Sequence, residues 1–373
     1  MNQQVNKRSH RPQRIKPEPR SAVRQINSVH HGAADYAELE TLGLTPDQVI
    51  DFSVNSNPFG PSPNIAAALS KVNFDRYPDR EAIALRRALS AYHQVKMENI
   101  LVGNGSAELL QLTALTFLEP GSRVVISGPT FGEYAKSASI MGAQVTVVRA
   151  IQEDNFQPGL KTIRELLSKS AVSMLFLCSP NNPTGQIAAP DEIHSLAENF
   201  PGTLIVVDEA YLPFARGLSS AMDPESANLL ILRSMTKDYS LAGLRLGYAV
   251  AGRDLIQAVA SVRPPWNVNA YAQAAGLAAL EDHDHLRSSL QKTWLAKKNL
   301  ILSLEEIGLS PAPSHTHFFL LPVDNAAEFR GRLMKKGLQV RDCTSFGLPS
   351  YVRIASLTPE KNQKLVDAIS EIL

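Results

Sequence analysis

The sequence predicts an α/β protein with a mostly parallel sheet covered by helices on both faces, and with a second, smaller α+β domain toward the C-terminus. Two observations support this fold class. Short runs of Val, Ile and Leu alternate with helical patterns of about 10 to 15 residues, which is typical of parallel sheets. The chain also has 373 residues, a length at which proteins commonly divide into two or three domains.

The predicted elements follow one another regularly after a proline-rich arm at 51–80. Strand patterns cover 100–102, 123–127, 143–148, 174–178, 203–207 and 229–232. Helical patterns cover 81–92, 107–117, 159–168 and 190–199. A long helix at 285–306 then leads to a strand at 318–321, a helix at 325–336, a strand at 351–354 and a helix from Pro359. Because sites on parallel sheets form at the carboxyl ends of the strands, we look for chemistry there.

We expect four parts along the chain: a disordered basic tail at 1–28, an N-terminal arm with part of the small domain at 29–77, a large domain at 78–275 and a small domain at 276–373. The tail holds seven Lys or Arg and one acid. A nucleic-acid contact or an organelle transit peptide is the alternative, but a solvated tail is favoured because the segment has no aromatic residue and no apolar periodicity.

The composition is that of a soluble protein, with 44% hydrophobic and 20% charged residues. No apolar stretch approaches the roughly 20 residues of a membrane span, and the N-terminus lacks the apolar core of a secretory signal, so we expect a cytoplasmic protein with no membrane partner. Cys178 and Cys343 stand alone, without metal-ligand spacing, and we expect neither a metal site nor a disulfide.

A lysine-centred segment after the strand pattern at 229–232 carries the first chemical signal. Lys237 lies between the small hydroxyl residues Ser234 and Thr236 and the later Arg245. This set offers an amine that can form an imine and several donors for one phosphate dianion. A lysine in a polar loop is usually a surface residue, so the interpretation needs support from elsewhere.

Two further segments supply that support. Asp208 ends a buried strand pattern and Tyr211 follows it, so a carboxylate there can pair with a protonated ring nitrogen. An Asp that caps a helix would explain Asp208 alone. Asn182 lies in a loop fixed by two prolines and a glycine, and Ser106 and Ala107 follow a glycine-bearing turn that opens a helix, where free amides favour a phosphate.

Taken together and in this order, the segments NNPTG, DEAY and SMTKDYSLAGLR resemble the class I/II aminotransferase family of fold-type-I pyridoxal-phosphate enzymes, from about residue 31 to the C-terminus. The resemblance implies a seven-stranded large-domain sheet and the cofactor pyridoxal 5′-phosphate. It assigns catalytic roles to Lys237 as the Schiff-base lysine and proton carrier, to Asp208 at the pyridine nitrogen and to Tyr211. The implied cofactor contacts are Ser106, Ala107, Phe131, Asn182, Asp208, Tyr211, Ser234, Thr236, Lys237 and Arg245.

The resemblance also implies a homodimer. Tyr77, in DRYPD, matches a family tyrosine that reaches the phosphate of the neighbouring subunit's cofactor. If Tyr77 acts in this way, neither active site is complete in one subunit.

Within the family, the chain resembles enzymes that act on small phosphorylated amino substrates. Arg341 and Arg353 match arginines that bind the substrate's anions, which guanidinium groups suit well. The opening residues His31, Gly32 and Asn55 match the start of threonine-phosphate decarboxylases, and Trp266 stands where those enzymes often have a tryptophan. On these grounds we expect the decarboxylation of L-threonine O-3-phosphate to (R)-1-aminopropan-2-yl phosphate, which supplies the cobalamin side chain.

Two alternatives to this expectation stay open. Histidinol-phosphate aminotransferase is the closer one, because the orientation of the substrate on the cofactor decides which bond breaks, and a sequence does not reveal it. The other alternative is a non-catalytic regulator. It is disfavoured because no folded DNA-binding module fits into the first 28 residues and Lys237 is present.

Two residues depart from the pattern of these relatives. The decarboxylase has a second glycine where this chain has Ala33, and both relatives usually have asparagine where this chain has His317.

Overall fold

The computed structural model describes residues 17–24, 26 and 28–373. Its helices, in chain order, are α1 (Ser21–Arg24), α2 (Tyr36–Thr41), α3 (Asn64–Leu69), α4 (Ile83–His93), α5 (Ser106–Phe117), α6 (Glu133–Ile140), α7 (Leu160–Lys169), α8 (Pro190–Asn199), α9 (Arg253–Ser261), α10 (Ala270–Glu281), α11 (His283–Glu306), α12 (Ala326–Met334) and α13 (Pro359–Ser370). Its strands are β1 (Ile50–Asp51), β2 (Ile100–Gly103), β3 (Arg123–Gly128), β4 (Gln144–Arg149), β5 (Met174–Cys178), β6 (Leu204–Asp208), β7 (Leu229–Ser234), β8 (Gly247–Ala251), β9 (Phe318–Pro322), β10 (Leu338–Gln339), β11 (Arg341–Asp342) and β12 (Tyr351–Ala355).

A seven-stranded sheet forms the centre of the large domain, in the order β2-β8-β7-β6-β5-β3-β4. Strand β8 runs antiparallel to both of its neighbours, and the remaining pairs of neighbours are parallel. The predicted fold class, a mostly parallel sheet between helices, is confirmed.

Helices cover both faces of this sheet, and β5 shows how the sequence achieves it. Met174 and Phe176 pack with residues of α5 and α9 on one face, whereas Leu175 and Leu177 pack with α7 and α8 on the other. Because successive side chains of a strand point to opposite faces, a strand covered on both sides must be apolar throughout. All five residues of β5 are accordingly buried.

The topology brings the ends of several strands to one edge of the sheet. Strands β5, β6 and β7 run parallel to one another and end at Cys178, Asp208 and Ser234. The loops that follow these strands carry the predicted cofactor residues, so the candidate site lies where parallel sheets place their sites.

The C-terminal region forms a smaller α+β unit. Strands β11, β12 and β9 make an antiparallel sheet, and α11, α12 and α13 contribute to the apolar cluster beside it. Strand β1 of the N-terminal arm pairs in parallel with β10, so the arm is attached to this smaller unit. The domain boundaries at residues 77 and 275 stay predictions.

Several elements were not expected from the sequence. The sequence patterns predict neither β8 nor α10, because β8 (GYAVA) is poor in branched residues and α10 (AYAQAAGLAALE) is apolar on most sides and shows little periodicity. Helix α6 (EYAKSASI) is short and mixes polar with apolar residues, so the sequence does not predict it either.

Residues 17–24 of the predicted tail belong to the part of the chain that the structure describes. Residues 21–24 form the short helix α1, and the Arg20 guanidinium donates a hydrogen bond of 3.1 Å to the carbonyl of Ile140, at the end of α6. Carbonyls in the last turn of a helix lack partners within the helix and attract a cation, which explains this contact. Residues 1–16, 25 and 27 of the predicted tail lie outside the described residues.

Within the part of the chain that the structure describes, no helix combines the length and the apolar character needed to cross a membrane.

Candidate active site

A cavity of about 770 Å³ opens beside the carboxyl ends of the central strands. It continues inward to a smaller cavity, and the two share wall residues that include Lys237, Asn182 and Tyr211. All predicted site residues except Tyr77 line one or both: His31, Gly32, Asn55, Ser106, Ala107, Phe131, Asn182, Asp208, Tyr211, Ser234, Thr236, Lys237, Arg245, Arg341 and Arg353.

Lys237 lies in the loop that follows β7, and its side chain faces the junction of the two cavities. Its carbonyl accepts a hydrogen bond of 2.8 Å from the amide of Asn57, which ties the loop to the N-terminal arm. Burial, together with the nearby Arg353 and Arg245, lowers the pKa of the Lys237 amine to about 8. An amine with this pKa has a substantial unprotonated fraction near neutral pH, which both imine formation and proton transfer require.

Asp208 is a buried carboxylate at the inner end of the cavity. Its Oδ2 accepts a hydrogen bond of 2.9 Å from the Tyr134 hydroxyl, and its Oδ1 accepts one of 2.9 Å from the amide of Ala210. Burial nevertheless raises the pKa of Asp208 above its usual value, although both hydrogen bonds oppose that change. A cation bound in the inner cavity would therefore stabilise the ionised carboxylate.

Asn182 and Tyr211 line both cavities. The Asn182 side-chain oxygen accepts a hydrogen bond from the Arg353 guanidinium. The Tyr211 ring packs edge-on against Phe318, with ring centroids 4.9 Å apart, and burial raises the pKa of Tyr211 to about 12. Tyr211 therefore stays a protonated hydrogen-bond donor at physiological pH.

A ring of small donors closes the inner cavity. Ser106 and Ala107 form the first turn of α5, where backbone amides have no partner within the helix. The hydroxyls of Ser234 and Thr236 lie 2.7 Å apart. A Cβ atom at Gly247 would lie 2.5 Å from the Ser106 amide nitrogen, so only glycine permits this approach.

Arg245 completes the ring of donors. Its backbone is in the left-handed region, with a φ of 60°, and a Cβ atom at Gly105 would lie 2.8 Å from its Nη2. The guanidinium is thus held against the turn that opens α5. Amides at a helix start, two hydroxyls and a guanidinium together suit a phosphate dianion.

The site residues fit pyridoxal phosphate in each of its parts. The donors just described match its phosphate, and the buried Asp208 matches a protonated ring nitrogen. Phe131 supplies an aromatic wall beside Tyr134, with ring centroids 5.6 Å apart. Lys237, Asn182 and Tyr211 line the same inner cavity and offer an amine for the aldehyde and two donors for the ring oxygen.

The outer cavity has the properties of a substrate site. Asn55 is 2% exposed, and both polar atoms of its side chain have no hydrogen-bond partner among the described residues. Arg353 is also buried, and its Nε has no partner within that same part of the chain. Arg341 donates hydrogen bonds of 2.8 Å to the His30 carbonyl and 2.7 Å to the Ser345 hydroxyl. Unsatisfied buried polar groups beside a cavity indicate a polar ligand.

Tyr77 is the predicted residue that the structure keeps apart from the others. Its side chain is exposed and stacks on the Trp266 ring, with centroids 4.5 Å apart. It lines neither cavity of its own chain, and its contact with a neighbouring subunit's cofactor stays a prediction.

The two departures from the family pattern have different surroundings. Ala33 has a φ of 88°, in a region that favours glycine, and follows the cavity residue Gly32. His317 is fully buried and packs on the Phe214 ring, with centroids 3.8 Å apart. Burial and the nearby cations Lys297 and Arg353 hold the pKa of His317 well below its usual value, so the ring is neutral.

Comparison with known proteins identifies the family. The model of the family "Aminotransferase class I and II" matches residues 47–369. The chain belongs to the class I and II aminotransferases. It is 36% identical to a histidinol-phosphate aminotransferase of Symbiobacterium thermophilum over 95% of this chain and 98% of that protein. The family and the cofactor predicted from the motifs, pyridoxal phosphate, are confirmed.

Solved structures agree with the observed fold. A histidinol-phosphate aminotransferase of Sinorhizobium meliloti in complex with pyridoxal-5′-phosphate superposes with a TM-score of 0.86 over 96% of this chain and 98% of that chain, at 22% identity. The L-threonine-O-3-phosphate decarboxylase of Porphyromonas gingivalis superposes with a TM-score of 0.75 at 29% identity, over 86% and 98% of the two chains.

Sequence reasoning overlooked two residues of the site. Tyr134, which holds Asp208, and Glu133, which lines the outer cavity, belong to the same GPTFGEY segment as Phe131. Phe131 lies before the start of α6 and Tyr134 lies in its first turn, so no helical spacing in the sequence relates the two.

Proposed function

We propose that this aminotransferase-family enzyme transaminates a phosphorylated amino compound, with histidinol phosphate as the first candidate. The 36% identity to a histidinol-phosphate aminotransferase over nearly the whole of both chains is the observation that carries this proposal. It reverses the order expected from the opening motif, which placed threonine-phosphate decarboxylation first. The two reactions share the cofactor site and differ in what happens at the substrate's α-carbon.

The cavity residues support an anionic substrate. Arg353 and Arg341 both line the outer cavity. Burial lowers the pKa of each guanidinium, but the pKa of an arginine starts so high that both groups stay charged. Guanidinium groups bind phosphate and carboxylate through two parallel hydrogen bonds. We assign Arg341 and Arg353 to the substrate's anionic groups and Asn55 to a polar group between them.

Lys237 moves the proton in this proposal. The cofactor, when bound, supplies a conjugated ring that accepts the electrons released at the substrate's α-carbon. Lys237 Nζ would take the proton from that carbon and later give a proton back, and the pKa of about 8 in the cofactor-free chain suits an amine that exchanges protons near neutral pH. Asp208 would pair with the protonated ring nitrogen of the bound cofactor, and Tyr211 and Asn182 would hold its ring oxygen.

Decarboxylation of threonine O-phosphate is the second candidate. One specific feature favours it: the opening residues His31 and Gly32 line the cavity, as expected for a segment that contacts the substrate. The 29% identity to a solved threonine-phosphate decarboxylase adds support.

One assay separates the two candidates. The purified holoenzyme is given histidinol phosphate with 2-oxoglutarate, and in parallel threonine O-phosphate, while glutamate and carbon dioxide are measured. We expect glutamate to form in the first reaction. Carbon dioxide released from threonine O-phosphate, without glutamate formation in the first reaction, would make the decarboxylase the correct assignment.

A further inference from the structure

The segment around His31 lines the outer cavity and is anchored by hydrogen bonds to Ser53 and Gln339. The Ala33 amide donates a hydrogen bond of 2.9 Å to the Ser53 hydroxyl, and the Gln339 amide donates one of 2.8 Å to the Ala33 carbonyl. A Cβ atom at Gly32 would collide with the Ser53 carbonyl oxygen. Arg341 holds the carbonyl of the preceding residue, His30. The backbone on both sides of His31 is therefore fixed.

The His31 side chain extends from this anchored backbone to helix α6, residues of which also line the outer cavity. Its Nε2 lies 3.1 Å from Oε1 of Glu133, a residue 102 positions later in the first turn of α6. Its ring centroid lies 5.6 Å from that of Phe131. Because a carboxylate only accepts hydrogen bonds, the hydrogen lies on Nε2, and Nδ1 is left for another partner. The ring thus has a defined orientation although its side chain is about half exposed.

The Glu133 side chain is buried and held in place by its neighbours. Only 6% of the residue is exposed, and the same Oε1 also accepts a hydrogen bond of 3.1 Å from Lys136 Nζ. An acidic residue in the first turn of a helix can also serve only to stabilise that helix. Its contact with His31, across the cavity and from another part of the fold, is not explained by that local role.

We propose that Glu133 is a positioning residue that holds His31 in the wall of the outer cavity, where His31 and Arg341 together bind the phosphate of the substrate. This inference rests on the proposed function, because it concerns the phosphorylated end of that substrate. Arg341 contributes a fixed positive charge. His31 contributes Nδ1, which donates to a phosphate oxygen when the ring carries both protons, one of which is directed at Glu133. In this proposal Glu133, which lines the outer cavity, acts through His31 and makes no hydrogen bond to the substrate itself.

The test compares phosphorylated and unphosphorylated donors, histidinol phosphate and histidinol, on the holoenzyme. Glu133→Ala should raise KM for the phosphorylated donor about tenfold, the lower end of the effect of losing a hydrogen bond to a charged group. The kcat value and the KM for histidinol should stay within about twofold. Glu133→Gln keeps an acceptor oxygen and should restore part of the loss.

A double-mutant cycle separates positioning from a structural role. If Glu133 acts through His31, Glu133→Ala should have no further effect on KM in a His31→Ala background. Additive losses, or equal losses for both donors, would overturn the proposal. The matched control is Glu38→Gln, because Glu38 is paired with Arg330 and lines neither cavity; its KM values should match those of the unmodified enzyme.

A binding measurement keeps this inference separate from the proposed function. If the unmodified enzyme converts neither phosphorylated substrate, the proposed function fails, and calorimetric titration of the holoenzyme with inorganic phosphate still tests Glu133. We expect about tenfold weaker binding of phosphate to the Glu133→Ala holoenzyme. Equal binding to both proteins, or no phosphate binding by the unmodified holoenzyme, would refute the role of Glu133.

Discussion

Arg353 donates a hydrogen bond to the side-chain oxygen of Asn182 and another to the carbonyl of Ser53. One guanidinium therefore joins the loop after β5, which we propose to hold the cofactor, to the N-terminal arm, which lines the outer cavity. With its side-chain oxygen occupied by Arg353, the Asn182 amide is left with its nitrogen as a donor for the proposed cofactor contact. Arg353 thus links the proposed substrate site to the proposed cofactor site.

The first prediction concerns the buried carboxylate of Asp208. Asp208→Asn should retain the cofactor but lose activity by roughly 100-fold or more, because a neutral amide no longer keeps the ring nitrogen protonated. The measurement is kcat together with cofactor content determined by absorbance. Near-normal turnover in a fully loaded variant would remove Asp208 from the mechanism.

The second prediction concerns Tyr134, whose hydroxyl donates a hydrogen bond to Asp208. Tyr134→Phe removes the 2.9 Å hydrogen bond to Asp208 and leaves the ring packing on Phe176 in place. Because a hydrogen bond to a charged group contributes about 1.5 to 3 kcal/mol, we expect kcat to fall at least tenfold, with a smaller effect than Asp208→Asn. A Tyr134→Phe enzyme as active as the unmodified one would contradict this role.

The backbone at Ala33 gives the third prediction. Because Ala33 has a φ of 88° in a region that favours glycine, Ala33→Gly should raise the free energy of unfolding by about 1 kcal/mol, the usual cost of such a conformation for alanine. Denaturant unfolding of the two proteins under the same conditions measures it. A loss of stability would show that the conformation carries no strain.

The lysine amine predicts a pH dependence of the stability of the cofactor-free protein. Since the pKa of Lys237 is about 8 in the folded chain and near 10.5 in the unfolded one, the unfolded chain binds more protons between these values. Lys237→Met should therefore be more stable than the unmodified protein at pH 7, by about 1 to 2 kcal/mol after allowance for partial exposure. The difference should shrink as pH rises from 8 toward 10, and a difference constant with pH would contradict the shift.

The cofactor site could be predicted from the sequence because its residues lie in short contiguous motifs. Lys237 and Arg245 belong to one segment, and Asp208 and Tyr211 to another. Strands such as β5 were equally visible, because burial on both faces requires an unbroken apolar run. These features are local, so a single sequence reveals them.

The features of the fold and of the site that the sequence does not predict depend on contacts between distant segments. The pairing of His31 with Glu133 spans 102 positions, and no local pattern indicates it. Helix α10 is rich in alanine and buried on most sides, so it lacks the periodicity that identifies a surface helix. The exposure of Tyr77 is visible only in the folded chain, and the subunit that it would contact stays a prediction.

The attachment of the cofactor to Lys237 is the central claim, since the position of every other site residue is interpreted from it. The holoenzyme is reduced with borohydride and digested, and the peptides are analysed by mass spectrometry. We expect the mass of the reduced cofactor on the peptide that contains Lys237, and no covalent label in a Lys237→Ala protein. A label on a different lysine, or a label that persists in that variant, would contradict the account.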